Sequence, residues 1–173
     1  MSKHQTYSSI PQKSLMNKPI IIDTNILIGF ELWMPRRVHS IFWDNLEQKI
    51  SEGSIILLDV VMDETRGDLK KWCNDQIKQK GYLTSISNQD RQRGYEINNT
   101  YPIVDNVAMK SVVDTFIIAF AERNQFMICS RESRKRPDET LHKIPDVCDA
   151  LNIDIISKPS GLYSRTGLNF DTK

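Results

Sequence analysis

The sequence predicts an α/β fold, a three-layer α/β/α sandwich around a mainly parallel sheet. Two observations carry this expectation. Short β-branched runs alternate with longer amphipathic stretches, the order of parallel strands joined by helical crossovers. Each run also stops abruptly at polar or acidic residues, as buried strands do where they leave a sheet. At 173 residues the chain suits one domain with a core of its own.

The first strand is Pro19-Ile20-Ile21-Ile22, ending at Asp23, after which Asp23-Thr24-Asn25 leads into Ile26-Leu27-Ile28. Val38, Ile41, Phe42, Leu46 and Ile50 recur at helical spacing, with Gly53 as the stop. Ile55 to Leu58 reads as a second strand, and Asp59 to Glu64 as its exit, with Glu64 starting a helix. Leu69 to Ile77 looks helical, with Trp72 on the apolar side. The stretch from Ser85 to Asn106 is polar and weakly patterned, with room for a helix. Ser111 starts a clear helix whose Val113, Phe116, Ile117, Phe120 and Ala121 share a face. Phe126 to Cys129 is a third strand, followed by Ser130-Arg131-Glu132. A short helix begun by Pro145 covers Ile144 to Leu151, and Ile153 to Ile156 is a fourth strand. Residues 1–18 read as a flexible polar leader without the apolar segment of a signal peptide, 19–157 as the domain, and 158–173 as a C-terminal loop or tail.

Composition narrows the function classes. The net charge is only +1, so nucleic-acid binding would rest on local basic patches rather than on a global field. No run approaches the roughly 18 apolar residues that span a bilayer. Cys73, Cys129 and Cys148 are odd in number and widely spaced, which fits neither a disulfide framework nor a zinc pattern. Reduced thiols in a cytoplasmic protein are the simplest reading.

The chemistry gathers in the acids. Asp23 follows the first strand, Glu64 the second and Glu132 the third, while Asp114 lies in the first turn of the helix before the third strand. In parallel sheets ligands sit beyond the carboxyl ends of the strands, where these positions can converge. Converging carboxylates repel one another and call for a proton or a cation. Their hard oxygens suit Mg²⁺ or Mn²⁺. Each acid also has a plainer explanation. Asp23 can cap a helix, and Asp114 stands three residues after Ser111 as in a capping box. Glu64 is one of several acids that include Asp59, Asp63 and Asp68, and Glu132 sits in a charged loop.

Four segments resemble the motifs of PIN-domain nucleases. Ile21-Ile22-Asp23-Thr24-Asn25-Ile26-Leu27-Ile28 looks like the opening motif, and Val60-Val61-Met62-Asp63-Glu64 is similar to the second. Val113 to Ala121, with Asp114-Thr115, resembles the third, and Ile128-Cys129-Ser130-Arg131-Glu132 the fourth. Their order agrees from Ile20 to about Ile156. Gly67 to Trp72 and Lys143-Ile144-Pro145-Asp146-Val147-Cys148 look like features of a prokaryotic subgroup.

The resemblance implies a PIN-like fold and endoribonuclease activity, with a water activated by one or two Mg²⁺ or Mn²⁺ ions held by Asp23, Glu64 and Asp114. It implies products bearing a 5′-phosphate and a 3′-hydroxyl. Glu132 stands where the family often has Asp, so Asp146 can share or replace its role, and Asp63 competes with Glu64. Thr24, Asn25 and Ser130 would orient carboxylates or water, although Asn25 can equally be a turn residue. Similar prokaryotic proteins are often VapC-like toxins of type II toxin–antitoxin pairs. The resemblance therefore also implies an antitoxin over the acidic crevice and a homodimer.

Arg131, Arg134, Lys135, Arg136 and Lys143 follow the acidic set as candidate phosphate contacts for RNA, with Arg91 and Arg93 as possible additions. A solvated loop is the competing reading. His4, His39 and His142 avoid the strand ends, which disfavours a histidine-pair ribonuclease. A haloacid-dehalogenase-type phosphotransferase needs a second Asp where Asn25 stands, and a response-regulator receiver needs paired acids near the first strand. The rival from another class is a catalytically silent PIN scaffold serving RNA binding or assembly.

Overall fold

The computed structural model describes residues 18–108 and 111–170. Four parallel strands form one sheet in the order β2-β1-β3-β4: β1 (Ile20–Ile22), β2 (Ile55–Ile56), β3 (Met127–Cys129) and β4 (Ile155–Ile156). Ile21 is in register with Ile56 on one side and Ile128 on the other. Every strand pair is parallel, so each connection must cross over, and helices fill the crossovers, with one more helix after β4. They are α1 (Thr24–Trp33), α2 (Ser40–Ser51), α3 (Asp59–Glu64), α4 (Gly67–Trp72), α5 (Asn88–Thr100), α6 (Val112–Asn124), α7 (Ile144–Leu151) and α8 (Pro159–Thr166). A π-helical turn, Cys73–Lys78, continues α4. The arrangement is the expected α/β/α sandwich. Leader residues 1–17 lie outside the described residues, and no described helix is long and apolar enough to cross a membrane.

β1 and β3 are buried along their whole length, which is why they read as unbroken apolar runs rather than as alternation. α2 packs on β2, α6 on β3 and α8 on β4. Cys73, Cys129 and Cys148 are buried free thiols within the core.

Several details differ from the sequence reading. α2 begins at Ser40, so Val38 lies outside it and is 76% exposed, and Ile41 sits at the solvent boundary. Its buried side is Phe42, Trp43, Leu46 and Ile50, with Trp43 packed edge-on against Trp72. Glu64 ends α3 rather than starting a helix. The polar middle forms α5, capped by Ser87, whose hydroxyl accepts from the Asp90 amide while Asp90 accepts from the Ser87 amide. Its pattern is weak because α5 meets α6 largely through Gly94 and ion pairs. A Cβ on Gly94 would stand 2.7 Å from the Phe116 ring and 3.1 Å from the Thr115 carbonyl. Asp90 is buried and paired with Arg123 at 2.6 and 2.8 Å, and Arg93 grips Glu122 at 2.7 and 2.8 Å.

The segment from Lys158, expected as a loop or tail, forms α8. Pro159 supplies the preset first-turn φ, and Gly167 ends the helix at φ 70°. Leu162 and Leu168 enter the core, and Tyr163 meets the Phe30, Phe42 and Phe170 rings. Two leucines and a tyrosine in a polar octapeptide and its flank give too little periodicity to reveal such a helix in advance.

Candidate active site

Asp23 leaves β1 at its carboxyl end, its amide donating to the Cys129 carbonyl of β3 at 3.0 Å. It occupies the N-cap position of α1, but its side chain makes no capping bond. The carboxylate, 3% exposed, instead accepts from the Ser130 hydroxyl at 2.8 Å. Ser130 sits at the end of the neighbouring strand, so the β1–β3 register itself brings the two together. Asn25 then ties the two strand exits. Its amide nitrogen lies 3.5 Å from the Ser130 hydroxyl, and its side-chain oxygen accepts from the Arg131 amide at 3.2 Å. The Glu132 amide donates to the Ser130 hydroxyl at 3.2 Å.

Glu64, at the end of α3, accepts a short hydrogen bond from the Thr24 hydroxyl in the first turn of α1. Asp63 turns the other way and pairs with Lys70 at 2.8 Å. Of those two adjacent acids, Glu64 is therefore the one that joins Asp23. Asp114 stands in the first turn of α6. The capping-box explanation for it fails, because Ser111 takes a left-handed backbone conformation (φ 66°) and its side chain caps nothing. Glu132 reaches the same region, and one of its oxygens accepts from the Ile144 amide at the start of α7 (3.0 Å).

Asp146 is placed differently. Its two oxygens accept from the Lys143 amide at 2.8 Å and from the Lys135 amide at 3.3 and 3.1 Å. It caps α7 and pins the preceding loop, which leaves Glu132 as the fourth acid of the group.

The electrostatics show that the acids sense one another. Burial is the main reason the Asp23 carboxyl is pushed up to about 6; the Ser130 bond opposes the rise, and Glu132 and Glu64 add to it. Asp114 is pushed up to about 8, first by burial, then by Asp23, Glu132 and Glu64. Asp23 and Asp114 thus sit at one sheet edge within the field of Glu64 and Glu132, which raises both.

Among the described residues, no three Asp, Glu, His or Cys side chains are already arranged around one point as a metal site would require. The donor chemistry nonetheless fits a hard divalent ion. All four donors are oxygens, the hydroxyls of Ser130 and Ser111 only partly offset the repulsion at Asp23 and Asp114, and Glu64 and Glu132 accept from Thr24 and Ile144 through one oxygen each.

The expected basic cluster is largely paired within itself. Arg134 binds Asp149 at 2.7 and 3.0 Å, Lys143 binds Glu139 at 3.0 Å, and Arg136 lies 3.6 Å from both Asp138 and Glu139. The acids that dilute the cluster in sequence are its partners in space. Arg93 is committed to Glu122, and Arg91 lies over the Phe116 ring. Lys135 is fixed only through its backbone in the contacts found. Arg131 lies over the half-exposed Trp33 ring, 4.1 Å from its centroid, an aromatic contact that linear spacing could not reveal. Beside Asp114 and Glu132 a cavity of about 400 Å³ opens between the α6 start and the loop before α7.

No curated protein matches the chain. Residues 20–169 match the family described as a domain of unknown function, DUF4411. That span runs from the first residue of β1 past the end of α8 and includes Asp23, Glu64, Asp114 and Glu132. The chain belongs to the DUF4411 family.

Proposed function

We propose that the chain is a Mg²⁺- or Mn²⁺-dependent endoribonuclease of the PIN type. The observation that carries this reading is the gathering of Asp23, Glu64, Asp114 and Glu132 at the carboxyl edge of a parallel sheet, where each of Asp23 and Asp114 is raised by the other acids. A purely structural buried acid is paired as Asp90 is, held by the Arg123 guanidinium through both oxygens.

In this mechanism a bound divalent ion supplies Lewis-acid activation of water and charge stabilisation at the phosphodiester. The chain's own residues set the stage for it. Ser130 fixes the Asp23 carboxylate, Asn25 holds the Ser130–Arg131 turn, and Thr24 orients Glu64. Asp23 is buried and Asp114 half-buried, and each is raised by the neighbouring acids, so that both would compete well for an added cation. Arg131, beside the acids and against Trp33, is suited to contact phosphate or a stacked base.

RNA is the proposed substrate, and the loops and single strands of RNA are the forms an open crevice accepts. A toxin's role in a type II pair, an antitoxin covering the crevice, a homodimer and a cytoplasmic location complete the reading. The cytoplasmic assignment is supported by three buried, unpaired thiols.

Cleavage of a mixed RNA pool with and without Mn²⁺, with the cut ends mapped, tests the proposal. Mn²⁺-dependent cuts leaving 5′-phosphates, lost in Asp114→Asn, are expected. A folded Asp114→Asn protein that cuts undiminished would overturn the assignment. Mn²⁺ binding without any cleavage would favour the silent RNA-binding or assembly scaffold.

A further inference from the structure

The cavity beside Asp114 and Glu132 has features that the acidic cluster alone does not explain. Its volume, about 400 Å³, lies within the range of small-ligand pockets. Ile103 and Leu141 give it apolar surface, and Ser111 and Thr140 line it with hydroxyls. His142 also lines it, and its ring is fixed from behind. The Tyr101 ring meets it edge-on at 5.9 Å, and Nδ1 lies 3.4 Å from the Pro102 carbonyl. A backbone hydrogen bond from His142 to the same carbonyl (2.7 Å) anchors this wall.

The charges of the lining decide what can enter. Asp138 and Glu139 add carboxylates to Asp114 and Glu132. Among the described residues Lys143 is the one lysine or arginine of the lining, and it is held by Glu139 at 3.0 Å. Away from Asp114 and Glu132, where a metal ion would sit, a phosphate would face Asp138 and Glu139, so this part of the cavity suits an uncharged group better than an anion. A flat group with an apolar face and hydrogen-bond donors at its edge would match the apolar surface and the acceptor-rich rim.

We propose that this cavity is a nucleobase subsite, which takes the unstacked base next to the scissile phosphate and selects bases bearing an exocyclic amino group over uracil. Adenine, guanine and cytosine each present amino hydrogens to the acceptors of the rim. Uracil offers only its N3–H there, between two carbonyl oxygens that the carboxylates would repel. This inference rests on the ribonuclease reading for its substrate. Asp114 and Glu132 line the cavity, so a base held in it would lie next to the acids.

Two measurements test it independently. The first is binding, followed by ligand-observed NMR with adenosine 5′-monophosphate and uridine 5′-monophosphate as probes. Adenosine 5′-monophosphate should bind at least several-fold more tightly. Filling the cavity with Leu141→Trp, or with Thr140→Trp at an exposed rim position that the fold tolerates, should remove that difference while calorimetric Mn²⁺ binding persists. The second is cleavage of oligoribonucleotides varied at single positions. One position flanking the cut should favour A, G or C over U by about tenfold, the scale of one discriminating hydrogen-bonded base contact. Replacing adenosine there by purine riboside, which lacks the amino group, should lose the preference.

Equal binding of the two mononucleotides, or binding unaltered in a folded Thr140→Trp protein, would overturn the subsite. So would cleavage indifferent to the amino group. Selective adenosine 5′-monophosphate binding in a protein that cuts no RNA would support the subsite and overturn the ribonuclease reading instead.

Discussion

Replacing Asp23 by Asn should stabilise the metal-free protein at alkaline pH. The Asp23 carboxyl is raised from 3.8 to about 6, chiefly by burial, with Glu132 and Glu64 adding to the rise. At about 1.4 kcal/mol per pH unit, this shift of roughly 2 units corresponds to about 3 kcal/mol. The sign follows from proton linkage. Between the two pKa values the folded state holds the proton and the unfolded chain has lost it, so stability falls as pH rises. The contribution is fully present below pH 3.8 and lost once pH has passed through about 6.

Asn carries no charge and keeps an oxygen to accept from Ser130. Asp23→Asn should therefore exceed the wild type by up to about 3 kcal/mol at pH 8 and match it near pH 4. For a chain of this size each kcal/mol shifts Tm by about 2–4 °C, giving a gain of roughly 6–12 °C. Thermal unfolding followed by circular dichroism in chelator, from pH 4 to 8.5, measures it. Mn²⁺ should narrow the gap by stabilising only the wild type. An Asn variant that melts at or below the wild type at pH 8, or a gap that widens toward acid, would refute the reasoning.

Three further outcomes follow from the packing and the ion pairs. Gly94→Ala should destabilise by about 1–3 kcal/mol in urea unfolding despite Ala's better helix propensity, because its Cβ meets Phe116 and the Thr115 carbonyl; an unchanged midpoint would mean that α5 and α6 separate freely. Asp146→Ala should lose about 1–3 kcal/mol, for the α7 cap and the Lys135 anchor together, yet retain calorimetric Mn²⁺ binding. Loss of metal binding in a folded Asp146→Ala protein would return Asp146 to the acidic cluster. Asp90→Ala should lower stability by roughly 2–4 kcal/mol, since it removes a buried partner of Arg123 and the Ser87 capping box, whereas Arg134→Ala, which breaks an exposed pair, should leave thermal unfolding essentially unchanged.

What the sequence could and could not reveal divides along physical lines. β1 and β3 are buried on both faces, so their composition alone marks them, and the residues after them, Asp23 and Ser130, meet because adjacent parallel strands end together. α7 was legible to the residue from its proline. The long-range pairings were not. Nothing local distinguishes Asp63, turned to Lys70, from Glu64, turned to Thr24. Nor does it distinguish Asp146, which caps a helix, from Glu132, which stays with the acids. Ser111 has the residue type of a cap but a left-handed backbone that prevents it, while Ser87, three residues before Asp90, forms the box unforeseen. α5 left only a weak signal in the polar stretch with room for a helix, because its contact face is built on a glycine and on arginines that pair with acids of α5 and α6. The basic run after Ser130 promised a phosphate-binding patch, but charge sums cannot show that Arg134, Arg136 and Lys143 each have an acid in reach.

On the proposed reading Asp23 and Asp114 belong to an acidic centre that binds a divalent cation. Calorimetric titration of Mn²⁺ at pH 7.5, repeated in buffers of different ionisation enthalpy, tests that claim directly. The Asp114 carboxyl, with a pKa of about 8, is still largely protonated at this pH, so metal binding must displace its proton. The account predicts Mn²⁺ binding accompanied by release of close to one proton, with at least a tenfold loss of affinity in Asp114→Asn and Asp23→Asn. Absence of binding to the wild type, or equal binding to both variants, would contradict it.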